Sequence, residues 1–258
     1  MLIVNVHYKN TPNIGDLFCS PFHYFKFGCE TKSIDCRQQP TKNDGVIIGG
    51  GGIIANVNIE KFLVSPKAIA WGVGFNADPK IYTDPKNYTR GTIFNWPNYI
   101  NKFKLFGVRE WNQGHKWVPC VSCLHPKFNP SQKKTIPVAV YEHFRGPINL
   151  DLPKMRNNNK NINEVIDFIN SAEVLLSNSF HGCYWGTLAG AKVIAIKPCS
   201  SRMQALKYPV PFCMGLDYKP HIEKTIAYPN ALEECRSINL DFARDVENLL
   251  GVEIKPLN

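Results

Sequence analysis

The sequence predicts an α/β chain of two Rossmann-like parallel-sheet domains facing a central cleft. Three observations carry this expectation. Short runs that stay apolar on consecutive positions, as in strands buried on both faces, recur along the chain. The segments between them are too polar or too proline-broken to be strands, as parallel crossovers require. After the proline-marked stretch 126–130 the pattern restarts, so strands and helices alternate in two blocks.

Taken in order, the first block has strands at Leu2–Val6 and Val46–Ile48, a third in "KAIAWGVGF" and a fourth in "KLFGVRE". The second block opens with a strand in "TIPVAVYE". Ile162, Val165, Ile166 and Ile169 then fall at helical spacing, "EVLLS" follows as a strand, the segment from Ser179 as a helix and "KVIAI" as a strand. Phe242, Val246, Leu249 and Leu250 mark a last amphipathic helix that stops at Gly251, a residue suited to left-handed backbone. The expected domains are 1–125 and 126–235, with 236–258 a helix packing back across both.

At 258 residues the chain is long enough for each domain to bury its own core without disulfide staples. The N-terminal apolar run is cut by Asn5 and His7, so neither a signal peptide nor a spanning helix is expected, and the expected location is cytoplasmic. Nine cysteines, scattered and odd in number, fit reduced, buried thiols better than a disulfide framework. The formal charge of +9 favours anionic ligands without choosing among them. Lys133, Lys134 and the segment 155–161 read as solvated loops, and no basic stripe is interleaved with aromatics, so nucleic acid is not an expected partner.

Five segments are candidates for carrying chemistry. "NIGD" follows the first strand, where open parallel sheets bind ligands. There Gly15 would let backbone approach a ligand, and Asp16 would either accept a proton or cap a helix. Gly49–Gly52 follow a buried strand and could expose successive N–H groups as an anion nest, or could let two backbones pack closely. They match neither the Walker loop nor GxGxxG, and Gly72 and Gly74 repeat the theme at the next strand end. Arg109 stands directly after a strand with a planar fork suited to phosphate or carboxylate, or to a surface ion pair. Cys120 and Cys123 form a single CxxC whose flanking His115 and His125 do not complete a zinc pattern, so they read as structural thiols and no metal is expected.

The fifth segment is the corner "SNSFHGCYW". Asn178 or Ser179 suits an N-cap, which places His181 in a first helical turn at the carboxyl edge of the second sheet. There the helix dipole disfavours an imidazolium and attracts an anion. The alternatives are a structural histidine and a reacting one. Trp71, Trp111 and Trp117 could stack on a sugar face or fill cores.

Asn13-Ile-Gly15-Asp16, the Gly49–Gly52 loop, Gly107-Val-Arg109 and Ser179-Phe180-His181-Gly182 stand in the order seen in polysaccharide pyruvyl transferases, and the chain resembles that family from about residue 3 to about residue 205. The resemblance implies the two-domain architecture of B-type glycosyltransferases. It further implies transfer of pyruvate from phosphoenolpyruvate, a donor substrate and no other cofactor, onto two sugar hydroxyls as a ketal. The acceptor would be a glycan or a glycan precursor, with peripheral membrane contact where that precursor is lipid-linked. His181 and Asp16 are then the expected acid/base pair, and Asn13, Gly15, Gly50, Gly51, Arg109, Ser179, Phe180, Gly182 and Arg202 the expected substrate contacts. Many family members hold phosphoenolpyruvate with an arginine two residues before the motif histidine. Here Ser179 occupies that position, and Arg202 or Arg109 is expected to supply the cation. Competing expectations are a nucleotide-sugar glycosyltransferase and a non-catalytic glycan-binding protein of the same fold.

Overall fold

The structure, a computed structural model, describes residues 1–76 and 91–257. Strands β1 (Leu2–His7), β4 (Gly45–Gly49), β5 (Ala68–Val73) and β6 (Leu105–Val108) stand where the apolar runs place them. With β3 (Glu30–Asp35) and β7 (Lys116–Trp117) they form a six-stranded, all-parallel sheet of order β3-β1-β4-β5-β6-β7. The second sheet is five-stranded and also parallel. Its order is β12 (Phe212–Cys213), β11 (Lys192–Ile196), β10 (Ala172–Ser177), β8 (Ile136–Glu142) and β9 (Lys154–Arg156). A short antiparallel pair joins β2 (Phe25–Phe27) to β13 (Ile254–Pro256).

Alternate residues of each central strand serve opposite faces. Val4, Val46, Ile48 and Ala70 pack under the loop residues Ile53, Ile54 and Phe62, while Ile3, Ile47, Ile69 and Trp71 pack against the C-terminal helix. Polar edge strands defeat this signal. β3 reads "ETKSID", is exposed over its first three residues and pairs on one side only, with β1, so the apolar pattern does not report it. β9 is an edge strand of the same kind, in a segment the sequence presents as solvated loop.

Helices differ between the halves. In the N-terminal half, among the described residues, the connections carry only short turns, of which α1 (Ile14–Leu17) is four residues long. The C-terminal half has α2 (Ile162–Ser171), α3 (Phe180–Leu188) and the four-residue α4 (Lys219–Ile222). α2 begins at an Asn161 cap and buries Ile162, Val165, Ile166 and Ile169, the spacing read from the sequence.

The 20-residue α5 (Ala231–Leu250) ties the sheets together. Its first turns, Ala231, Leu232 and Cys235, join the core under α3, and Phe242, Val246 and Leu250 cover the first sheet. Each of the larger ones, Leu232, Phe242, Val246 and Leu250, contributes about 1.5–3 kcal/mol. Midway, buried Asn239 accepts a hydrogen bond from Trp71 Nε1 (2.9 Å) and donates to Pro119 O (3.1 Å). Gly251 stops the helix in left-handed backbone, φ 70°. Among the described residues no helix is long and apolar enough to cross a membrane.

Candidate active site

The carboxyl ends of the central strands of both sheets converge on one cavity of about 410 Å³. Asn13, Asp16, Ser179, Phe180, His181 and Arg202 line it. So does Gly52 of the glycine loop, together with Tyr8, Arg37, His143 and Arg145, which the sequence reading did not single out. Gly15, Gly50, Gly51, Gly182 and Arg109 stand behind the wall. A Cβ on Gly50 or Gly51 would run into Cys19 or Tyr8, so in these two glycines backbone packs closely against its neighbours.

Asn13 anchors one side. It caps α1, its Oδ1 accepting from Gly15 N (3.1 Å), and its Nδ2 donates to Asp16 Oδ2 (2.9 Å). Asn157 Nδ2, from the second sheet, donates to the same Asn13 Oδ1 (3.1 Å), and Asn157 O accepts from Ile14 N (2.8 Å). Asn157 is 1% exposed, in a run of asparagines where polarity alone suggests a solvated loop. Burial with all its groups paired is visible only in three dimensions.

The corner follows the local sequence. β10 ends at Ser177, whose Oγ donates to Tyr141 O (2.7 Å) and accepts from Ser179 N (3.1 Å). Ser179 then caps α3, its Oγ accepting from Gly182 N (3.0 Å). A Cβ on Gly182 would lie 2.0 Å from Ser177 Oγ, so only glycine fits against the end of the strand. The positive end of α3 faces the cavity with Phe180 and His181 in its first turn.

Phe180 is flanked by two guanidiniums. Arg109 Cζ lies 4.2 Å from its ring centroid and Arg202 Cζ 5.3 Å. Gly74 and Gly52 make the room, since a Cβ there would come within 2.4 Å of Arg109 Nε and 2.6 Å of Arg202 Nη1. The Arg109 side chain is 1% exposed, and among the described residues none of its three nitrogens has a hydrogen-bond partner. Its nearest counter-charge, Glu110 Oε1, is 3.8 Å from Nε. Arg202 Nη1 is likewise buried and unpaired, while its Nε donates to Ser200 Oγ (2.8 Å). Burial pushes the Glu110 carboxyl up to about 7 against the opposing pull of both arginines. Burial and the Arg109 charge both lower the pKa of Arg202.

His181 is 3% exposed and meets two sulfurs. Its Nε2 lies 3.1 Å from Cys19 Sγ and 3.6 Å from Cys120 Sγ, and the sulfurs are 3.4 Å apart. These three ligand-type atoms lie within 4.8 Å of one another, close enough to share a cation. Cys120 therefore meets Cys19 and His181, and not the His115 or His125 that flank it in sequence. Burial raises the Cys120 thiol, yet hydrogen bonds to Cys19 and His181 and the Arg109 charge outweigh it and hold its pKa well below the ordinary range. Burial pushes Cys19 the other way. The ring packs on Gly15, where a Cβ would lie 2.3 Å from Nδ1. Trp71 is core, and neither Trp111 nor Trp117 lines the cavity.

Comparison with known proteins adds one finding. A family model described as polysaccharide pyruvyl transferase matches residues 3–200. No curated protein and no solved structure matches the chain.

Proposed function

The chain belongs to the polysaccharide pyruvyl transferase family, and we propose that it moves a pyruvyl group from phosphoenolpyruvate onto two hydroxyls of a sugar in a glycan or glycan precursor, closing a ketal. The observation that carries this reading is the pair of buried guanidiniums around Phe180. A buried, unpaired N–H costs about 1–3 kcal/mol, and more when charged, so such groups persist where a ligand uses them. A small, multiply charged anion is the ligand that suits two arginines at a helix N-terminus.

Arg202, in the cavity wall, takes the donor's phosphate or carboxylate, and Arg109 adds its charge from behind Phe180. Ser179 caps α3, and the Arg202 guanidinium lies beside Phe180 at that same corner, which supports Arg202 as the cation in place of the family arginine. Two steps follow. The oxygen of one sugar hydroxyl bonds C2 of the donor, its proton passes to Asp16, and His181, entering the step as the imidazolium, gives a proton to C3, turning the methylene into a methyl group. Asp16 then loses its proton to solvent and His181 regains one from it. The second hydroxyl then bonds C2 as the C2–O bond to phosphate breaks, and its proton leaves with the phosphate. Proton carriers placed in this way contribute about 10² to 10⁴ in rate.

Incubation with phosphoenolpyruvate and a panel of neutral and phosphorylated glycans tests the reading. Phosphate release matched by acid-labile pyruvate on an acceptor is the expected result. Calorimetric binding of a nucleoside diphosphate without binding of phosphoenolpyruvate would turn the reading to a nucleotide-sugar glycosyltransferase. Binding of a neutral glycan alone would turn it to a glycan-binding protein.

A further inference from the structure

Cys19, Cys120 and His181 come from three distant parts of the chain, and the family reading uses only the histidine. Cys19 stands in the segment after α1 and is fully buried; Cys120 opens the turn after β7 and is 1% exposed. Each sulfur has its own fixed surroundings. Cys19 Sγ donates to Gly15 O at 2.8 Å. Cys120 Sγ accepts from Ser122 Oγ at 3.2 Å, and that hydroxyl in turn accepts from Trp185 Nε1 at 2.9 Å. With the Cys19 hydrogen directed to Gly15 O, and a Cys120 hydrogen directed to Cys19 Sγ at 3.4 Å, both sulfurs keep lone pairs for Nε2.

We infer that Cys19 and Cys120 are positioning residues for His181: their sulfurs hold a hydrogen on Nε2 and leave Nδ1 as the nitrogen that exchanges a proton with substrate. This rests on the catalytic role assigned to His181 above. Three observations point the same way. The only hydrogen bonds to the ring among the described residues are at Nε2, Nδ1 has none, and the side chain contributes to the cavity wall. An acid/base histidine needs a third group to select its tautomer and aim its ring, and here the two sulfurs do what a carboxylate does in hydrolase triads. The Arg109 charge favours an anionic sulfur at Cys120, which strengthens the hold on Nε2–H.

The same donor set could instead take a soft cation. Metal-bound imidazoles donate their second N–H to an oxygen, and no such partner meets Nδ1 among the described residues. Arg109 would also face the ion as a like charge. The geometry therefore favours the proton-holding role, and metal content becomes one outcome of the test.

Proton–nitrogen correlation spectra of ¹⁵N-histidine-labelled protein, assigned with His181→Ala, read the tautomer directly. Wild-type protein is expected to show His181 with hydrogen on Nε2. Cys19→Ala and Cys120→Ala should each mix the tautomers and lower kcat about tenfold or more while leaving the affinity for phosphoenolpyruvate unchanged. Cys120→Ser, which keeps the shape and a weaker acceptor, should fall between, and it covers the case in which an alanine variant does not fold. An Nδ1–H tautomer in the wild type overturns the proposal, as does stoichiometric zinc in the purified protein. Unchanged kcat in folded cysteine variants overturns it too. If wild-type protein shows the Nε2–H form yet transfers no pyruvate, the sulfur hold stands and the pyruvyl-transfer reading fails.

Discussion

The Asn13 side of the cavity and the Phe180 side treat their polar groups in opposite ways. Around Asn13, the Asn13 amide spans Gly15 N, Asp16 and Asn157, and Asn157 in turn accepts from Phe144 N (2.8 Å). Around Phe180, Arg109 has all three nitrogens unpaired, Arg202 has one, and Glu110 Oε2 is also bare among the described residues. A satisfied network holds a geometry, whereas an unsatisfied one stores the capacity to bind. The first side therefore positions Asp16 and stitches the two sheets, and the second waits for charge.

The comparison can be broken first at Asp16. Asp16→Ala should lower turnover by about 10² to 10⁴ while phosphoenolpyruvate binds nearly as before, since the carboxylate acts on the acceptor. Steady-state rates at saturating substrates check this, and turnover close to wild type would remove Asp16 from the mechanism.

A smaller effect is expected on the structural side. Asn157→Ala strands the Phe144 N–H and removes the donor to Asn13 Oδ1, so it should lower stability by about 1–3 kcal/mol in urea unfolding. A loss of only a few tenths would mean that water replaces the asparagine and that the network is not what holds the sheets in register.

The smallest effect concerns pH and the Phe180 side. Burial raises the Glu110 carboxyl from an ordinary value of 4.5 to about 7, so the native state favours its protonated form. The sign follows from linkage: the associated stability is full below about 4.5 and is lost as pH rises through about 7. Glu110→Gln should therefore gain stability relative to wild type between pH 5 and 8, seen as a rising difference in Tm. A constant difference across that window would show that Glu110 stays ionised beside its arginines.

Much of this was legible in the chain. Continuous apolar runs report central strands because both faces are buried, and the α2 spacing and the Gly251 stop are local signals that survive folding. Edge strands β3 and β9 were not legible, since exposure lets them be polar. At the site, Asn13, Asp16, Ser179 and His181 announce themselves by standing at strand-to-helix corners. The partners of His181 do not, because Cys19 and Cys120 are separated from it by 162 and 61 residues. Glu110 was hidden for a different reason: beside Arg109 it reads as half of a surface ion pair, and only burial makes it exceptional. His143, which also lines the cavity, lacks any flanking motif.

The central claim is that the unpaired guanidiniums around Phe180 hold the donor. Calorimetric titration of phosphoenolpyruvate into wild-type, Arg202→Ala and Arg109→Ala proteins tests it most directly. Arg202→Ala, whose side chain lines the cavity, should lose about 1.5–3 kcal/mol per charged hydrogen bond removed, roughly a 10- to 150-fold weaker Kd, and Arg109→Ala, which removes only a charge behind Phe180, should lose less. Unchanged affinity in both variants would contradict the account.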